Sequence, residues 1–360
     1  TPERRAERDA RLRAFTTNLA ELVDALQSRG LQVILVTPSP HDDTMVSHPP
    51  AFSSVNEGLS RCARIVHEVA EARGAPVVDF FHPMLELNLA GQARDPAFTL
   101  VGKDRVHPGP PGHFVMAFQY LRAQQVTAVV SRIEIDAAAA RATLLDRVAV
   151  DDVVVEGGAV RFHARAEALP FPRWPGVEPA WSLVPFDAEL NREELRVTGL
   201  PPGAYEVLID GGMVATCSAE DLAGGLNLGA NTNTPQHAQA ARVAELVMRK
   251  AAIEQKLRDI AFTESRVQGL RSGPMKPRRM RTVLAGAIAR LDPGNPHSAG
   301  IEKRYRAYPG QKKQERAWRE ELDVLRERIT SATQPVGRSY EIRPVDARHV
   351  WLDSVRCVTS

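Results

Sequence analysis

Apolar residues recur at helical spacing over residues 12–26 (Leu12, Phe15, Leu19, Leu22, Val23, Leu26), and Gly30 follows as a stop. The next apolar positions are consecutive: L-Q-V-I-L-V at 31–36 is rich in β-branched residues and reads as a strand. A second amphipathic helix shows Leu59, Cys62, Ile65, Val66, Val69 and Ala70 on one face before Gly74, and A-P-V-V-D-F at 75–80 gives a second strand. A short helix from about Pro83, a loop bounded by glycine and proline, and a last helix over 112–124 complete the stretch. The order α-β-α-β-α-α builds parallel sheets covered on both faces. Such sheets have several strands, whereas this stretch supplies two. The expectation is an α/β layered domain over residues 1–130, truncated at its N-terminal side, with Thr1-Pro2-Glu3 reading as a helix start in mid-domain.

The pattern changes near Val126. From Ala149 to Pro172, short β-branched runs alternate with Asp151-Asp152 and Gly157-Gly158, which predicts antiparallel hairpins. Residues 195–216 give strand, Pro-Gly turn, strand, Gly-Gly turn and strand. A β-rich accessory module is therefore expected over 145–230. Thr234-Pro235 opens a helix whose stripe is Val243, Leu246, Val247, Ile253, Leu257 and Ile260, and a further helix spans 312–329 with Trp318, Leu322, Leu325 and Ile329 in register. A helical, basic region thus covers 231–335, followed by a tail over 336–360 with a possible strand.

Composition adds that the chain can bury a large core, with 43% hydrophobic and 25% charged residues in 360. No apolar run approaches the roughly 20 residues of a membrane helix, so membrane insertion is not expected. The compartment stays open, because a signal peptide would lie before Thr1. Residues 271–330 contain 15 Lys or Arg and 7 Asp or Glu, a local balance of +8 within a total of +2. M-K-P-R-R-M-R at 275–281 could meet nucleic acid, but Glu315, Glu320, Glu321, Asp323 and Glu327 interleave with the later basic residues and favour a salt-bridged surface. Cys62, Cys217 and Cys357 are odd in number and far apart, which implies no disulfide framework.

The chemistry concentrates in G-K-D-R-V-H-P-G-P-P-G-H-F-V-M-A at 102–117. An aspartate three residues before a histidine, on a segment kept out of a helix by Gly102, Pro108, Pro110 and Pro111, can accept the Nδ1 proton and leave Nε2 free to take a proton from a hydroxyl. Asp104 and His107 therefore read as half of a catalytic triad. The run closely resembles the last block of the SGNH (GDSL-type) hydrolases, D-x-x-H-P followed by a helix opening G-H-x-x-M-A. The resemblance covers about residues 1–125. It implies a flavodoxin-like three-layer α/β/α fold, no cofactor, and a serine ester hydrolase with His107 as general base and Asp104 as its orienting partner. It also implies a small-molecule or carbohydrate ester as substrate. In that family the nucleophile lies in a G-D-S motif on the first strand, and a Gly and an Asn complete the oxyanion hole; none of these three elements occurs here. The serine is thus expected upstream of Thr1, and the 360 residues alone are expected to be inactive. A non-catalytic binding or assembly protein on the same scaffold is the alternative.

Other candidates are weaker. Ser39 lies in T-P-S-P, between prolines and without the glycines of a nucleophile elbow, and reads as a rim loop. His41, Asp42, Asp43 and His48 match no zinc or calcium spacing, so no metal site is assigned. Trp174 and Trp181 could stack on sugars, but aromatics beside proline-rich connections more often anchor a loop on a core. His113 reads as part of the helix start, and neither His67 nor His82 shows a partner at triad spacing.

Overall fold

The computed structural model describes residues 2–46, 54–173, 176–270, 275–295 and 297–345. At its centre the front part holds two short parallel strands, β1 (Leu35–Val36) and β2 (Val77–Val78), paired Leu35 to Val77 and Val36 to Val78. Helices α1 (Pro2–Gln27) and α2 (Val55–Ala72) cover one face, where Val23, Leu35, Ile65, Val66, Val69 and Ala70 are buried together. Helices α3 (Phe81–Gln92) and α4 (Pro110–Ala123) cover the other, where Val78, Met84, Leu100, Phe114, Val115 and Phe118 form a second apolar cluster. The result is a three-layer α/β/α arrangement. Both strands are shorter than the apolar runs that announce them: two residue pairs in all carry the ladder.

A β-sandwich follows. Its first sheet contains β3 (Val129–Asp136), β4 (Arg141–Asp146), β7 (Arg192–Thr198) and β10 (Leu226–Asn227) in the order β10-β7-β3-β4. The second contains β5 (Val148–Glu156), β6 (Ala159–Ala166), β8 (Ala204–Ile209), β9 (Gly212–Ser218) and β11 (Arg338–Pro344) in the order β5-β6-β11-β8-β9. Ile133, Ile135, Leu195 and Val197 of one sheet interleave with Val160, Phe162, Val207, Ile209 and Ile342 of the other. Two features differ from the sequence reading. Strands β3 and β4 lie before the expected start at 145, joined by a turn at Ala137–Ala140 with Ala140 at φ 50°. Strand β11 is central to its sheet, so the helices read as a C-terminal region are an excursion between β10 and β11.

Short helices α5 (Glu178–Trp181) and α6 (Phe186–Leu190) precede β7 and α7 (Ala219–Gly224) follows β9, while the excursion comprises α8 (Pro235–Arg266), α9 (Pro277–Ile288) and α10 (Ser298–Ala332). Helix α10 starts well before the expected 312, continues through Pro309, and packs Leu322 and Leu325 on Leu246 and Ile253 of α8. Its charges pair locally, Arg319 with Glu315 and Arg316 with Glu320, and Lys312 reaches across to Glu264 of α8. Among the described residues, no helix is long and apolar enough to cross a membrane.

The joint between sandwich and helices buries a carboxyl group. Inward-facing Glu193 on β7 accepts a hydrogen bond from Gln236 Nε2 at 2.9 Å, and the same amide donates to the Tyr340 hydroxyl at 2.8 Å. Burial outweighs this hydrogen bond and the Arg338 charge, raising the Glu193 pKa to about 7. A carboxyl raised on folding stabilises the fold fully below its unfolded value, and that contribution is lost as pH rises through about 7. Thermal melts should therefore show Glu193→Gln losing less stability than the unmutated chain between about pH 5 and about pH 8. Parallel pH profiles for the two proteins would refute this.

Candidate active site

The loop from 99 to 109 joins α3 to α4 and is closed on itself. Gly102 N donates to His107 O at 2.7 Å, Gly109 N donates to Leu100 O at 3.1 Å, and Val101 bridges Pro108. Within it, Asp104 Oδ1 accepts from the backbone amides of Val106 at 3.1 Å and His107 at 3.0 Å, forming an Asx turn. The other oxygen, Oδ2, lies 2.6 Å from His107 Nδ1. The amide of His107 and its ring, with the amide of Val106, bring the Asp104 pKa down to about 2. His107 has a side chain 83% exposed, and its Nε2 has no hydrogen-bond partner among the described residues.

Two features fix this loop in place. Arg105 has a left-handed backbone (φ 67°), and its buried guanidinium donates to Asp42 O at 2.5 Å and Met45 O at 2.7 Å, while its own carbonyl accepts from Asp42 N at 3.0 Å. The Asp42 carboxylate accepts from Met45 N at 2.8 Å, Thr99 Oγ at 2.7 Å and Gln92 Nε2 at 3.1 Å. Burial opposes its charge, but these bonds hold its pKa below the ordinary carboxylate range. Gly112 does the rest: a Cβ there would sit 2.1 Å from Leu100 O, so only glycine lets α4 start this close to the loop.

Asp42 is thus saturated by hydrogen-bond donors of the fold, and His41 pairs with Asp43 at 2.8 Å; His48 lies outside the described residues. Ser39 is half-buried in the irregular segment after β1, and no described hydroxyl bonds His107. The His113 ring is exposed, and its backbone amide bonds Gly109 O in the first turn of α4. The indole of Trp181 stacks on Phe114 at 4.8 Å and donates to Asp187 at 2.8 Å, so it anchors the connection to the sandwich; Trp174 lies outside the described residues.

One reading is corrected. His82 does have a partner at triad spacing: its Nδ1 lies 2.7 Å from Asp79 Oδ2. The signal was available, since D-F-F-H-P at 79–83 repeats the D-x-x-H-P of 104–108. The two pairs differ in setting. Only the second precedes G-H-x-x-M-A, whereas Asp79 follows β2 and its Oδ1 accepts from Thr37 Oγ at 2.9 Å. Burial works against the Asp79 charge, but the bonds from His82 and Thr37 keep its pKa low. The Arg105–Asp42 clamp is the feature that sequence reasoning missed. Its partners are 60 or more positions apart, and no local spacing signals it.

Residues 2–114 match the GDSL-like Lipase/Acylhydrolase family. Among solved structures, BT4096, described as a gut microbial diltiazem-metabolizing enzyme, is similar at TM-score 0.72 and 30% identity, over 87% of this chain and 72% of that one. A likeness over that share of the chain extends through the sandwich and the helical excursion as well as the front layers. No curated protein matches.

Proposed function

Because the chain belongs to the GDSL-like lipase/acylhydrolase family, we propose that it forms the general-base half of a serine ester hydrolase. The observation that carries this is the 2.6 Å Asp104–His107 pair, on a loop clamped by Arg105, with Nε2 left open. Nε2 takes the proton of a serine hydroxyl as its oxygen attacks the acyl carbonyl. It then gives that proton to the departing alkoxide, leaving an acyl-enzyme that water hydrolyses by the same route. Asp104, ionised down to about pH 2, fixes the tautomer and stabilises the imidazolium. The serine is supplied from outside these 360 residues, since the sequence holds no G-D-S motif.

The substrate class is a small-molecule acyl ester. Trp181, the described aromatic that could have favoured a sugar ester, is engaged with Phe114 and Asp187, and the similar solved enzyme acts on a small molecule. Diltiazem and p-nitrophenyl acetate are the substrates to try first. Fluorophosphonate labelling of the complete gene product, followed by peptide mapping, should mark one serine outside the 360 residues. The 360-residue chain alone should hydrolyse p-nitrophenyl acetate no faster than its His107→Ala variant. Labelling of Ser39, with turnover lost on Ser39→Ala, would show the nucleophile to be misplaced. A complete product that neither labels nor turns over would leave the binding or assembly reading.

A further inference from the structure

The second Asp-His pair stands beside a third side chain that the hydrolase reading does not use. His67, on α2, brings Nε2 to 3.6 Å from Asp79 Oδ2, the same oxygen that lies 2.7 Å from His82 Nδ1. The three ligand atoms all fall within 4.8 Å of one another. They come from three elements: a helix, the segment leaving β2, and the first turn of α3. We propose that His67, Asp79 and His82 bind a divalent transition-metal ion of the zinc, cobalt or nickel type, with solvent completing its coordination.

Distances and chemistry agree with this. Two donor atoms, each about 2.0–2.1 Å from a tetrahedral ion, stand roughly 3.3 Å apart. The His67–Asp79 separation of 3.6 Å is already close to that value, and the 2.7 Å His82–Asp79 hydrogen bond has to open by about 0.6 Å. In neutral His82 the Nδ1 proton moves through solvent to Nε2, which frees the Nδ1 lone pair for the ion with no net proton release. Two imidazoles and one carboxylate select borderline transition ions over magnesium or calcium, which prefer all-oxygen sites.

The surroundings are those of a supported ligand set. Asp79 Oδ1 accepts from the buried Thr37 hydroxyl, whose oxygen in turn accepts from the amides of Phe80 at 2.8 Å and Phe81 at 3.0 Å. That relay turns Oδ2 toward both histidines, as an outer shell orients a ligating carboxylate. The His82 ring is also held edge-on by buried Phe81, with centroids 5.1 Å apart. Thr37 and Asp79 follow the ends of β1 and β2, at the carboxyl edge where parallel α/β sheets place their ligands. The bond from the His82 amide to Asp79 Oδ1 at 3.3 Å ties Asp79 to the first turn of α3, but it gives no role to His67.

The test uses the 360-residue chain without a polyhistidine tag. Titration with Co2+, followed by visible d–d absorption, and with Zn2+, followed by calorimetry, should show one equivalent bound at micromolar metal. His67→Ala and His82→Ala should each weaken binding at least tenfold, while His297→Ala, at an exposed and unrelated histidine, should leave it within twofold. His67 and His82 are both exposed, so these variants should keep the far-UV spectrum of the parent. Zn2+ should raise the melting temperature of the parent and not that of His67→Ala. Absence of saturable binding below about 1 mM, or binding that survives both substitutions, would overturn the site.

Discussion

If the complete gene product works as the serine hydrolase proposed above, Asp104→Asn is expected to lower kcat by about three to four orders of magnitude while the melting temperature hardly moves. The two effects separate because the two carboxylate oxygens do different things. Oδ1 accepts the amides of Val106 and His107 and shapes the loop, and an asparagine carbonyl can do the same. Oδ2 faces His107 Nδ1, and there asparagine presents an N–H that forces the ring to accept at Nδ1 and carry its proton on Nε2. The base is then blocked at the atom that must receive the serine proton. The Asp104 pKa is lowered on folding, so its contribution to stability is present above the unfolded carboxylate value and lost only as pH falls toward about 2. Its charge is therefore constant across the assay range. Combining Asp104→Ala with His107→Ala should cost little beyond His107→Ala alone, because groups acting as a unit are non-additive. Steady-state kinetics with melts of each variant decide the matter. Near-normal turnover in either His107→Ala or Asp104→Asn would remove both residues from the reaction.

The readable parts of this molecule are those whose causes lie within a few residues. The stripe of α2 is periodic because that helix buries one face on the two-stranded sheet, whereas α1 buries Val23 and half-buries Leu12 and Leu19 but leaves Phe15 and Leu22 of its stripe exposed; the Asp104–His107 bond is legible because it spans three positions. The same locality makes Asp79–His82 readable, and a search for one motif at one place passed over its twin. What depends on distant partners left no mark. Strand β11 enters its sheet between β6 and β8, more than 120 residues from either, and its short alternating pattern carries no sign of that position. Arg105 looks like an ordinary loop arginine until the 42–45 backbone is brought beside it. His67 likewise looks like a solvated helix residue until β2 sets Asp79 next to it.

Phe114→Ala is expected to cost about 3–5 kcal/mol, the largest loss of stability from any single site considered. Phe114 is 4% exposed and lies in α4, directly after the His107 loop. Its ring stacks on Trp181 at 4.8 Å and meets Phe186 at 5.0 Å and Phe171 at 6.2 Å, so one side chain joins the α/β/α layers to the segment leading into β7. Truncation removes the dispersion contacts of a whole ring and leaves a void walled by three aromatics that cannot collapse into it. The melting temperature should fall by roughly 5–15 °C. Phe114→Leu, which keeps much of the volume, should lose less than half as much. Two further readouts distinguish a broken joint from a general loss of stability. Trp181 emission should shift to the red, identified by difference against Trp181→Phe. Tryptic cleavage after Arg122, in the exposed last turn of α4 and normally paired with Glu189 at 3.1 Å, should accelerate. A fall of less than about 2 °C, with the Arg122 site still protected, would mean that the aromatic cluster is a surface contact and does not hold the two parts together.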